Sequence, residues 1–145
     1  MIDQRTAPYG ALVLRIALGV MFIAHSVYLK FFVFTLAGTA QFFGSLGLPE
    51  FLAYVVFAAE ALGGIALIAG FRVRLVSAAL IPILIGAFWV HSGNGWLFSA
   101  KGGGWEYPLF LIMASAAQAL IGSGAYAMSS DIGEDEAALY AEPAE

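Results

Sequence analysis

FLAYVVFAAEALGGIALIAGF, residues 51–71, decides the fold. It carries one charged residue, Glu60, and meets no other until Arg72. A spanning helix needs about 20 apolar residues, and this stretch supplies them. A carboxylate near the middle of a bilayer costs roughly 2.5 kcal/mol or more even on mild scales. Glu60 therefore needs a partner, water or a proton, and the search for its partner organises the rest of the chain.

Of the 145 residues, 61% are hydrophobic and 11% charged, with a mean hydropathy of +0.88. Soluble domains carry about 25% charged residues. A soluble protein of this composition would lack the polar surface to cover itself, so the lipid bilayer is the expected surroundings. Four stretches have the length and character of spans: about 9–29, 51–71, 75–90 and 107–128. With short links between them, they predict an all-α integral membrane protein, a four-helix bundle running up-down-up-down over residues 1–130. The first span, with Arg15 and His25 inside it, does not read as a cleavable signal peptide. There is no cysteine, so disulfide and thiol chemistry are excluded. With a net charge of −4, no nucleic-acid partner is expected.

Arg5, Arg72 and Arg74 fall on the side of the termini, and Lys30 and Lys101 on the other. The excess of basic residues places both termini in the cytoplasm of a bacterial cell, with the protein in the inner membrane. Residues 131–145 hold six acidic residues and no basic one, and are expected to form a flexible cytoplasmic tail. Between the first two spans, residues 31–50 are too polar and glycine-broken to cross, yet rich in Phe. Phe32, Leu36, Thr39 and Phe43 fall at helical spacing, which predicts a short helix lying in the interface or over the mouth of the bundle. Pro82 should kink the third span. Gly102–Gly103–Gly104 is expected to be a flexible lead into the fourth, and Arg72 and Arg74 to act as topology charges.

Depth along the helices, at about 1.5 Å per residue, sorts the polar residues into two layers. Arg15, Glu60 and Gln118 can share a buried layer, which predicts an Arg15–Glu60 ion pair supported by Gln118. Such a pair serves as a structural lock or, alternatively, as a relay for protons or substrate. Toward the outer face, His25, His91 and Glu106 fall at similar depth, rimmed by Lys30, Trp89, Trp105 and Tyr107. This second layer is the candidate ligand site. Two histidines and a carboxylate form a possible metal set, though without the spacing of a metal motif. Facing histidines can also hold haem, and they can hydrogen-bond a quinone. Among these, a polar pocket for a quinone-like head group is favoured over metal or haem.

The order of several short motifs resembles the DoxX family. Leu14–Arg15–Ile16–Ala17–Leu18–Gly19, followed by His25 and Lys30, is similar to that family's first span. Gly47–Leu48–Pro49, Glu60–Ala61–Leu62–Gly63–Gly64, Gly70–Phe71–Arg72, His91 and Gly104–Trp105–Glu106–Tyr107–Pro108 continue the likeness, from about Leu12 to Ser130. Ser26 departs from it, since a glycine often follows the first-span histidine. The resemblance implies a small four-span inner-membrane protein. Some relatives are subunits of a thiosulfate:quinone oxidoreductase, and others belong to membrane complexes handling oxidative stress. Without cysteine this chain cannot form a persulfide itself, which points to quinone binding or to docking a catalytic partner. Three functions follow as expectations. The first is a quinone-linked subunit of a membrane redox complex. The second is a non-enzymatic scaffold, and the third a small transporter or proton path working as a homo-oligomer.

Overall fold

A computed structural model describes residues 3–129. Among these residues all regular structure is helical. Helix α1 (Ala7–Ile23) runs without a break into a π-helical stretch, Ala24–Val33. Helix α2 (Leu36–Ser45) follows, then α3 (Phe51–Ala69) and α4 (Val73–His91). A single 3₁₀ turn, Ser92–Asn94, and a loop lead to α5 (Glu106–Ile121). Three helical segments are long and apolar enough to cross a membrane: Ala7–Val33, Phe51–Ala69 and Val73–Asn94. Helix α5 is apolar but shorter, at 16 residues.

Large apolar side chains face outward on every long helix, among them Val13, Leu62, Leu75 and Phe110. The buried core is a thin seam of Leu18, Phe22, Leu67, Leu80, Leu84 and Leu111. Helix α1 packs mainly on α3, and α4 on α5. The first pair approaches through glycine. A methyl group added at Gly64 would sit 2.8 Å from the Gly19 carbonyl oxygen, and one at Gly19 2.7 Å from the Gly64 oxygen. Without the hydrophobic drive between helices that water supplies, this close packing sets their register.

The helix ends follow local chemistry. Gly70 closes α3 at φ 75°, with the Phe71 N–H bonded back to the Ala66 carbonyl. The expected fourth span, 107–128, overshoots. Gly122 (φ 92°) and Gly124 (φ 69°) end α5 and turn the chain into a strap. The strap crosses beneath α1 and α3: Ala125 N–H donates to Pro8, Met128 to Ala69 and Ser129 to Gly70. An apolar run predicts burial or lipid contact, but it does not separate helix from strap. The first span is longer than expected, because the helix continues past Leu29 to Val33. The acidic stretch 131–145 lies outside the described residues.

Thr35 starts α2, its hydroxyl accepting from the Gly38 N–H at 3.1 Å. Phe32 belongs to the π-helical stretch, not to α2. Helix α2 packs against that stretch and α3.

Candidate functional site

The expected Arg15–Glu60 ion pair does not form. Glu60 is paired instead with Lys30, Nζ to Oε2 at 2.6 Å. Both side chains are largely buried, at 17% and 8% exposure. The reason lies in the winding before Lys30. Hydrogen bonds from residue i to i+5 stack residues five apart. The Phe34 N–H bonds to Leu29, and Lys30 Nζ reaches back to the His25 carbonyl at 3.4 Å. His25 and Lys30 thus share the face turned toward α3. Placing Lys30 at a helix end put it too far out; it stands inside a helix that continues past it.

Arg15 is buried at 1% exposure and has a different environment. Its guanidinium donates to the carbonyls of Leu67 and Ile68 at the end of α3, and of Ala125 and Tyr126 in the strap. Leu67 lies seven residues beyond Glu60, about 10 Å along the axis at about 1.5 Å per residue. At that level Arg15 meets helix-end carbonyls, which carry partial negative charge. Gln118 does not support a pair either. It is fully buried, with Nε2 donating to its own helix's end at Gly122, 2.6 Å away.

The outer layer converges in part. A cavity of about 730 Å³ is lined by His25, Lys30, His91 and Tyr107, together with Thr39 and Phe43 of α2. A second cavity of about 500 Å³ shares His25, Lys30, His91 and Tyr107 and adds Glu60. The two share these walls and residues of α2, and are neighbouring lobes. Glu106 and Trp105 do not line either lobe. Glu106 Oε1 accepts from the Phe98 N–H at 2.7 Å, and Trp105 packs edge-on against Phe88 and Trp96. Both hold the loop between α4 and α5. The carboxylate that belongs to the site is Glu60, and the His25–His91–Glu106 set does not gather as metal ligands. Among the described residues, no three His, Cys, Asp or Glu side chains cluster in that way.

Each histidine has one committed nitrogen. His25 Nδ1 meets the Met21 carbonyl at 2.9 Å, and His91 Nδ1 meets those of Gly102 and Gly103 at 2.9 and 3.2 Å. A carbonyl only accepts, so Nδ1 carries the proton in both rings. In the neutral ring Nε2 is then an acceptor. The His25 ring stacks on Tyr107, centroids 5.6 Å apart. The Tyr107 hydroxyl is buried and has no partner among the described residues. A buried hydroxyl left unpaired costs roughly 1–3 kcal/mol.

The glycines before α5 are held rather than loose. Gly102 (φ 89°) and Gly103 (φ 77°) adopt left-handed backbone that presents their carbonyls to His91 and to Asn94 Nδ2, the latter at 3.0 and 2.9 Å. Asn94 escaped sequence reasoning, although its place just past His91 offered a signal. Ser26 is fully buried and bonds its own helix, Oγ to the Phe22 carbonyl at 2.8 Å. Arg74 donates to the Leu120 carbonyl at 3.0 Å, capping α5 in addition to any topological role.

The family model described as DoxX matches residues 10–93. A Bacillus subtilis (strain 168) protein named "Putative oxidoreductase CatD" is 38% identical over 114 residues, covering 79% of this chain and 80% of that protein. No solved structure matches. With more than half its length matched by the family model, the chain belongs to the DoxX family.

Proposed function

We propose that this membrane protein binds a quinone-like ring in the cavity beneath α2 and serves a membrane redox reaction. The observation that carries the reading is one cavity lined by His25, His91 and Tyr107, in which each histidine has its Nδ1 already committed to a backbone carbonyl and the His25 ring stacks on Tyr107. A quinone ring supplies two-electron, two-proton chemistry when bound. Tyr107 Oη can donate to a ring carbonyl. The Nε2 atoms of His25 and His91 can accept from ring hydroxyls and take their protons. Donor and acceptors together suit both redox states of such a ring. Glu60 and Lys30 floor the site and offer a carboxylate beside the His25 carbonyl for onward proton movement. The relative named as an oxidoreductase supports the redox class.

In this reading α5 completes four spans running up-down-up-down in the bacterial inner membrane. The termini lie in the cytoplasm and the cavity mouth on the outer side. The chain works as a subunit beside a catalytic partner. The test is binding of a tail-less benzoquinone to purified protein in lipid nanodiscs. Wild type should bind it, and His25→Ala, His91→Ala and Tyr107→Phe should each weaken binding about tenfold, the worth of one hydrogen bond to a buried group. Absence of binding by wild type removes the proposal.

A further inference from the structure

The second lobe borders the polar groups of the ring site and adds a large apolar part. Besides His25, Lys30, Glu60, His91 and Tyr107 its walls include Leu52 and Val56 of α3 and Ile83, Gly86 and Ala87 of α4. The two helices touch lower down, where Gly63 lies against Leu80; a methyl added at Gly63 would sit 2.9 Å from the Leu80 side chain. Above that level they line the cavity instead of meeting. Pro82 stands where they part, and its missing N–H interrupts the ladder of α4. Pro82 and Gly86 are exposed on the flank of the helices, so the lobe opens sideways, at the depth of the spans. Gly86 has room for a side chain, since a β-carbon built there meets nothing within 4 Å.

From this geometry we infer that the lobe between α3 and α4 takes the hydrocarbon tail of a membrane-dissolved ligand, which reaches the polar site from the bilayer. The ligand is thus an amphiphile, a ring carrying an alkyl or prenyl chain. The inference rests on the ring-binding reading and adds the tail and the lateral route to it. Apart from Glu60 the walls on both helices are apolar, and the two lobes share His25, Lys30, His91 and Tyr107 as lining.

The experiment compares two probes in nanodiscs, a tail-less benzoquinone and the same ring bearing a ten-carbon chain, titrated as mole fractions of the lipid to remove partitioning. Wild type should bind the tailed ring more tightly even on this scale, by about threefold or more, through close packing of the chain on the lobe's walls, since the hydrophobic gain is already made in the lipid. Gly86→Phe should abolish that advantage and leave the tail-less ring unchanged, with Gly86→Leu intermediate. Both substitutions replace a helix-interior glycine at an open position, so they should not lower thermal stability. Equal binding of the two probes by wild type, or equal weakening of both by Gly86→Phe, overturns the tail lobe and leaves the ring site standing. Failure of both probes on wild type overturns the ring site and the tail lobe with it.

Discussion

Arg15 and Lys30 are two cations on one continuous helix, and they are neutralised in opposite ways. Among the described residues Arg15 is met by backbone carbonyls alone, two from the end of α3 and two from the strap. Around it the packing is tight: a methyl on Gly70 would collide with Ala127, and one on Gly124 with the start of α1. Lys30 is met by a carboxylate, and the pair borders an open cavity. One end of the molecule is closed by main-chain bonds that have no alternative partners. The other holds titratable groups beside empty space. The first is built for stability, and the second tolerates change in return for chemistry.

Arg15→Met should have the largest effect. It strips the α3 end and the strap of charge-assisted bonds worth about 1.5–3 kcal/mol each and leaves buried carbonyls unpaired. Thermal unfolding in nanodiscs should show a loss of about 3–5 kcal/mol, with ring affinity of the surviving folded protein unchanged. A fall in affinity without loss of stability would place Arg15 in the site after all. Gly64→Val comes next, at about 1–3 kcal/mol, the usual cost of overpacking. It forces α1 from α3 at the Gly19 crossing and should also weaken ring binding, because Lys30 and Glu60 sit on the two helices so separated.

Glu60→Gln leaves the largely buried Lys30 ammonium without its counter-charge and should cost about 1–3 kcal/mol, below the usual roughly 3–5 for a fully buried pair because Lys30 is 17% exposed beside the cavity. Its stronger signature is functional. If Glu60 carries protons onward from the ring site, redox turnover in the assembled complex should fall while tail-less ring affinity stays within about threefold. Unchanged turnover would reduce Glu60 to a counter-ion for Lys30.

The contrast between the two ends explains what could be read from the chain. The long helices were legible because apolar runs of spanning length have few other uses, and 51–71 against the observed 51–69 differs only by the Gly70 stop. The cavity residues His25, Lys30, His91 and Tyr107 were legible because polar groups near a span end are rare enough to stand out. The partner of Arg15 was not. Backbone carbonyls occur at every position, so a search for a counter-charge passes over them. Nor does any residue type announce a π-helical stretch, and without it Lys30 reads as an interfacial anchor. Glu106 was misplaced for a related reason: depth along a helix does not say whether a carboxylate turns inward or back to its own loop.

Tyr107→Phe has the smallest effect on stability and discriminates most sharply between the two ends. If the hydroxyl were structural, its removal would destabilise the fold, as at Arg15. It has no partner among the described residues, so its loss relieves an unpaired buried group. Stability should hold or rise by up to about 1 kcal/mol. The stacking of the ring on His25 persists in phenylalanine, so the cavity keeps its shape. Ring affinity should nevertheless fall about tenfold, because the donor to the ring carbonyl is gone. Stability and binding moving in opposite directions is the signature of a polar group retained for a ligand. Equal losses in both would mean that the hydroxyl serves the fold, and the open end would then be no different in kind from the closed one.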